Sequence, residues 1–160
     1  MVDPLAIYGA AIGSVAAIGT AWNIYHSAFR DRARLRLSLA TGITQDVPSV
    51  RSNEWLWMIE AQNFGRRPLT ISGHGGLELA NGRWVVFTGV FEQLPRRLGE
   101  NQKVTFWIYE VSLQKALREQ GLLPTRIRLT DDGGSTHKRR IPAKYRRQLA
   151  SLKQREVKTE

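Results

Sequence analysis

Residues 54–63 read EWLWMIEAQN and run directly into FGRRPLTI at 64–71. In an extended strand successive side chains point to opposite sides, so Trp55, Trp57, Ile59 and Ala61 share one face. Leu56 and Met58 lie on the other. A strand apolar on both faces is a central strand, or one that is partly covered. The chain then turns through Asn63-Phe64-Gly65-Arg66-Arg67-Pro68. Gly65 permits a positive φ, and Pro68 has no amide to donate to a ladder. Leu69-Thr70-Ile71 resumes as a short strand.

The same grammar continues in both directions. Upstream, Ala33 to Leu39 alternates apolar with polar residues, as a half-buried strand does. Downstream, Gly73-His74-Gly75-Gly76 interrupts before Leu77-Glu78-Leu79. Asn81-Gly82 between Leu77–Ala80 and Arg83–Phe87 is a strong hairpin signal. Later strands are expected at Lys103–Tyr109 and Thr125–Thr130. Asp131-Asp132-Gly133-Gly134 reads as a turn returning through Thr136 to Ile141. One short helix is expected over Val111–Gln120, capped by Gly121 and followed by Pro124. Pro142–Val157 reads as a basic, weakly amphipathic helix or tail with Tyr145, Leu149 and Leu152 on one side. Seven or so short strands separated by turns predict a mainly β chain, an antiparallel β-sandwich most simply of immunoglobulin-like type. The chain has no cysteine, so no disulfide can join the sheets. Trp55, Trp57, Trp84 and Trp107 are expected to supply core bulk.

Charge divides the chain sharply. All 24 Lys and Arg lie at or beyond Arg30, whereas Asp3 is the one formally charged side chain before it. Leu5–Ile24 contains no charge, and about 20 helical residues span the ~30 Å hydrocarbon core of a bilayer. The sequence therefore predicts an N-terminal transmembrane helix. Trp22 and Tyr25 sit at its far end as headgroup-level rings, followed by Arg30, Arg32, Arg34 and Arg36 at the interface. Positive flanks stay inside, which places the N-terminus outside and the C-terminal domain in the cytoplasm at the inner membrane. Gly9, Gly13 and Ala17 recur every four residues, a stripe for helix packing or a smooth lipid-facing surface. The expected organisation is an anchor over 1–29, a β-sandwich over 30–141 and a basic helix or tail over 142–160.

The string N-F-G-R-R-P-L-T-I at 63–71, with a strand before it and G-x-x-L-x-L after it, resembles bacterial immunoglobulin-like or fibronectin-like sandwiches. Leu98-Gly99-Glu100-Asn101 before a strand resembles an element common in the same domains. The likeness extends over residues 33–141 and implies a fold. It is similar to that of uncharacterised bacterial and phage single-pass membrane proteins, and it carries over no catalytic residues.

The residues offer little chemistry. His26, His74 and His137 stand apart, without metal-ligand spacing. Gly73-His74-Gly75-Gly76 lacks both the G-x-S-x-G elbow and the G-K-[ST] ending that would make it a catalytic or phosphate loop. Asp131 and Asp132 suit a turn, and Glu60 suits a cross-strand pair with an arginine. No catalytic, metal or cofactor residue is assigned, and no small-molecule substrate is evident. The formal net charge is +10. Nine basic residues and one acidic residue lie between Lys138 and Lys158. Lys138, Arg139, Arg140, Lys144, Arg146 and Arg147 are candidate polyanion contacts, to nucleic acid or to anionic lipid. The expected function is a non-enzymatic, membrane-anchored adaptor that binds another protein, or its own copy through the helix. Nucleic-acid or lipid binding through the basic tail is the alternative, and a phage lysis-type membrane protein a third.

Overall fold

The computed structural model describes residues 4–26, 32–43 and 54–154, with the side chains of the first helix described from residue 13. In chain order the elements are α1 (Pro4–Tyr25), β1 (Leu35–Ile43), β2 (Trp55–Asn63), β3 (Leu69–Ile71), β4 (Gly76–Leu79), β5 (Trp84–Val86), β6 (Gly89–Val90), β7 (Arg96–Leu98), β8 (Lys103–Tyr109), α2 (Glu110–Gln120), β9 (Pro124–Thr130), β10 (Thr136–Arg140) and α3 (Ala143–Gln154). One antiparallel sheet runs β1-β2-β8-β6 and a second runs β10-β9-β4-β5, while β3 and β7 form a small ribbon. The inner faces of both large sheets share one core. Leu37, Leu39, Trp57, Ile59, Val104 and Phe106 come from the first sheet, and Leu77, Leu79, Val85, Ile127 and Leu129 from the second. The chain is mainly β.

β2 is central, between β1 and β8, and this accounts for its two apolar faces. Trp57, Ile59 and Ala61 enter the common core. Leu56 is fully buried outside that core, on the opposite face, where its cross-strand partner is Tyr109 and that of Met58 is Trp107. Gly89 of β6 pairs with Trp107, and a Cβ there would come within 2.1 Å of the indole. The backbone of β6 lies directly on that ring.

The turn after β2 is held by Asn63, which is fully buried. Its Nδ2 donates to the carbonyls of Arg67 (2.8 Å) and Leu98 (3.1 Å), and its Oδ1 accepts from the amides of Gly65 (3.0 Å) and Arg34 (3.3 Å). One side-chain amide thus satisfies four backbone groups from three segments. Gly65 packs so closely that a Cβ would fall 2.1 Å from the Arg32 carbonyl oxygen.

The Asn81-Gly82 hairpin forms as expected between β4 and β5, with Gly82 at φ 83° and Leu79 N–H donating to Arg83 O at 2.7 Å. α2 ends on Gly121 at φ 66°, whose amide bonds the carbonyls of Leu117 and Arg118. The basic C-terminal segment is helix α3, and Leu149 and Leu152 are buried in the common core. Gln114 Nε2 donates to Leu152 O at 2.9 Å, Arg118 Nε to Lys153 O at 3.2 Å and Lys153 Nζ to Gly121 O at 2.6 Å. These bonds clamp α3 to α2.

Two expectations are corrected. Among the described residues, no helix is long and apolar enough to cross a membrane, which overturns the N-terminal transmembrane helix. The described side chains of α1 run from Gly13 to Tyr25. They include Ser14, Thr20 and Asn23, and much of the rest is Gly and Ala, which present little apolar surface. The core bulk also differs. Of Trp55, Trp57, Trp84 and Trp107, Trp57 alone joins the common core, which is otherwise built from Leu, Ile, Val, Phe and Ala61.

Candidate functional site

Two strands at the open side of the molecule, β1 and β10, are the edges of their respective sheets. A groove of about 830 Å³ lies between them, lined among others by Leu35, Leu37, Phe64, Thr136, Lys138 and Arg139. Its basic lining is Arg36, His137, Lys138 and Arg139, and among the described residues no carboxylate lines it.

The hydrogen-bond phase of both edges follows from the pairing. β9 and β10 are in register with Thr136 opposite Thr130. The amides of Asp131 and Ile141 bond the carbonyls of Ser135 and Thr125 just beyond the strand ends. In an antiparallel ladder bonded and non-bonded pairs alternate. His137 and Arg139 therefore turn their backbone groups to β9, whereas Thr136, Lys138 and Arg140 turn theirs outward. The same reasoning applies to β1, where Phe64 N–H bonds Arg34 O and Leu35 stands opposite Asn63. There Leu35, Leu37 and Leu39 turn their backbone groups to the groove. The Arg139 guanidinium donates across the gap to Leu37 O, so one side chain links the two edges.

The turn leading into β10 is rigidly built. Asp131 Oδ1 accepts from Ser135 N–H at 2.9 Å, and Gly134, at φ 78°, donates to Asp131 O at 3.0 Å. His137 Nε2 lies 2.8 Å from Asp131 Oδ2. Burial raises the Asp131 pKa, but the His137 hydrogen bond and charge, with amide bonds from Ser135 and Gly133, outweigh it and leave the carboxyl below its ordinary value of 3.8. The neighbouring Asp132 ties the turn to β3, through its amide on Thr70 O at 3.1 Å and its carboxylate on the Ser72 hydroxyl.

On the outer face of the second sheet, Lys138 and Arg140 stand beside Arg128 and Arg126 of β9. Glu78 of β4 is the acid there, 2.7 Å from Lys138 Nζ. The Arg128 guanidinium lies over Trp84 at 5.2 Å. Counting along the tail does not reveal Arg126, Arg128 and Trp84. Their signal is the alternation of Thr125-Arg126-Ile127-Arg128-Leu129, which becomes a charged face once β9 is paired with β10.

The polyanion candidates divide between two places. Lys138, Arg139 and Arg140 are on β10, with Lys138 and Arg139 at the groove. Lys144, Arg146 and Arg147 are exposed on α3. Lys144 lies 5.6 Å from the Tyr145 ring, and Arg147 lines a separate depression with Thr41, Trp55 and Trp57. Of the packing stripe, Gly13 and Ala17 are exposed, a Cβ at Gly13 would meet nothing within 4 Å, and Gly9 lies outside the described side chains. Trp22, Tyr25 and His26 cluster at the end of α1, with Trp22 and His26 centroids 4.6 Å apart. Arg32, Arg34 and Arg36 are exposed on the approach to and start of β1, and Arg30 lies outside the described residues. His74 is exposed with its ring 6.4 Å from Phe106. Glu60 pairs with Lys103 at 3.0 Å rather than with an arginine. Among the described residues, no group of three His, Cys, Asp or Glu could hold a metal.

No family model matches the chain, and no curated protein matches it. Solved structures give weak likenesses. One is described as the "Putative ApaA Protein from Bordetella pertussis", 15% identical over 70% of this chain and 91% of that one, with a TM-score of 0.32. Another is the Northeast Structural Genomics Consortium target SoR45, 14% identical over 68% of this chain and 82% of that one, also with a TM-score of 0.32.

Proposed function

We propose that this chain is a non-enzymatic adaptor, an immunoglobulin-like β-sandwich that recognises another protein along its open side. The strand orders β1-β2-β8-β6 and β10-β9-β4-β5 support the fold reading. They correspond to A-B-E-D facing G-F-C with one added neighbour strand. The functional reading rests on one observation, the groove between two edge strands whose outward backbone groups have no strand partner, although Leu37 O accepts from the Arg139 guanidinium. Natural sheets cover, shorten or charge such edges to prevent pairing. Here β10 carries such charges, yet both edges border an accessible groove in which apolar Leu35 and Phe64 face cations. Strand addition at a sheet edge is a general mode of peptide recognition, in which main-chain bonds provide affinity and side-chain pockets specificity.

The test is a peptide-display selection against the immobilised full chain. The reading expects enriched binders whose addition slows amide exchange along β1 or β10. A selection that returns no specific binder contradicts it.

A second reading, polyanion binding, is favoured by Arg126, Arg128, Lys138 and Arg140 sharing one sheet face beside Trp84. It expects single-stranded oligonucleotide affinity that falls steeply with salt, since each neutralised phosphate releases condensed counterions. Affinity insensitive to salt contradicts that second reading.

A further inference from the structure

We infer that β10 is the docking strand for an extended acidic segment of a partner protein, which would add to the second sheet as a fifth strand. This rests on the protein-recognition reading above and specifies the chemistry of the partner.

Three observations converge on β10. Its outward backbone groups, on Thr136, Lys138 and Arg140, present alternating donors and acceptors. A peptide satisfies both kinds, whereas a phosphate backbone offers acceptors alone. Its side chains are divided by face. Lys138 and Arg140 stand on the outer face among Arg126 and Arg128, with Glu78 as the near acid. The groove side carries His137 and Arg139 of β10 itself beside apolar Leu35 and Phe64, and Phe64 is 48% exposed. An incoming strand that alternates acidic and apolar residues matches both sides, because its own side chains alternate in the same way.

The charges also decide what is refused. A second copy of β10 in antiparallel register would set Lys138 and Arg140 against cations, and like charges directly opposite destabilise a strand pair. Cations on an edge are a common guard against edge-to-edge association. On this edge they exclude neutral and basic strands and admit an acidic one. The guard therefore becomes a selectivity filter.

The experiment uses the full chain and peptides of about eight residues, enough to span β10 at ~3.4 Å per residue. The probe alternates Glu and Val. Its controls are the Lys-for-Glu peptide, the Glu/Val peptide N-methylated at alternate residues, and a single-stranded oligonucleotide of equal charge. Binding is read by calorimetry, and the footprint by amide exchange. The acidic peptide should bind and protect the amides of Lys138 and Arg140. Alternate N-methylation should weaken it at least about tenfold, the scale of one or two lost backbone hydrogen bonds. The double variant Lys138→Glu with Arg140→Glu should prefer the Lys-for-Glu peptide. If that variant does not fold, the N-methylated peptide against the unaltered chain still decides. Equal affinity with and without N-methylation overturns the inference, because charge alone would then be acting. Tighter oligonucleotide binding on the same footprint overturns it in favour of the polyanion reading. Display-selected peptides that bind away from β10 overturn it while leaving protein recognition standing. Failure of every peptide sinks both.

Discussion

The two large sheets turn different outer faces to their surroundings. On the first, Leu56 is fully buried, with Met58, Trp107 and Tyr109 partly covered around it. Phe91 stacks on Trp107 with ring centroids 6.1 Å apart, and Trp107 meets Tyr109 edge-on at 5.0 Å. On the second sheet the outer face carries Arg126, Arg128, Lys138 and Arg140, with Glu78 and Trp84 among them. Both sheets contribute apolar residues to one core, and the sharper difference lies outside. The first sheet spends its outer face on packing and stability. The second keeps its outer face charged and its edge strand available.

This contrast predicts unequal responses to substitution. The largest effect is expected at Leu56. Leu56→Ala should cost about 2–5 kcal/mol, the range for a fully buried leucine, although the residue lies outside the common core. Arg126→Ala, on an exposed position of the other face, should stay within about 0.5 kcal/mol. Chemical denaturation of both variants checks this, and equal losses would erase the distinction between the faces.

Gly89→Val comes next. Its side chain must enter the space of the Trp107 indole, an overpacking expected to cost about 1–3 kcal/mol and to disturb the Trp107 fluorescence environment. Wild-type stability with unchanged emission would mean that β6 does not lie on that ring. On the charged face, Trp84→Ala removes the surface under the Arg128 guanidinium. A loss of about 0.5–2 kcal/mol is expected, the range for a partly desolvated cation–π contact together with its lost packing. A double-mutant cycle with Arg128→Ala should show coupling, and strict additivity would count against the contact.

The smallest effect concerns pH. The carboxyl of Asp131 titrates below 3.8 in the folded chain. A depressed folded pKa contributes stability that is fully present above the ordinary carboxylate range and lost as pH falls through the lower folded value. The contribution is expected at a few tenths to about 1 kcal/mol for this surface turn. Asp131→Asn should flatten the stability profile below about pH 4. An unchanged acid limb would show that the His137 contact does not hold in solution.

Much of this was readable in the residues. The alternation of 54–63 put Trp55, Trp57, Ile59 and Ala61 on one face, of which the last three enter the core while Trp55 stays exposed. Apolar Leu56 and Met58 marked β2 as central or partly covered. Asn81-Gly82 and Gly121 announced a hairpin and a helix end by backbone requirements that few residues meet. The short strands β6 and β7 were not legible, since two or three residues show no period. The shared outer cations were equally hidden. Arg126 and Lys138 belong to different strands, and their faces coincide only after the turn at Asp131–Ser135 sets the register. The tryptophans misled because size suggests core, whereas Trp107 packs against the outside of its sheet and Trp84 lies under an arginine. α1 misled through its uncharged run, because freedom from charge does not measure how much apolar surface small residues present.

The central claim is that β10 is an open edge, and amide hydrogen exchange of the unliganded chain tests it most directly. The amides of His137 and Arg139, bonded to β9, should exchange slowly. Those of Lys138 and Arg140, interleaved with them on the same strand, should exchange close to solvent rates. Uniform protection of all four would show the edge to be covered and would contradict the account.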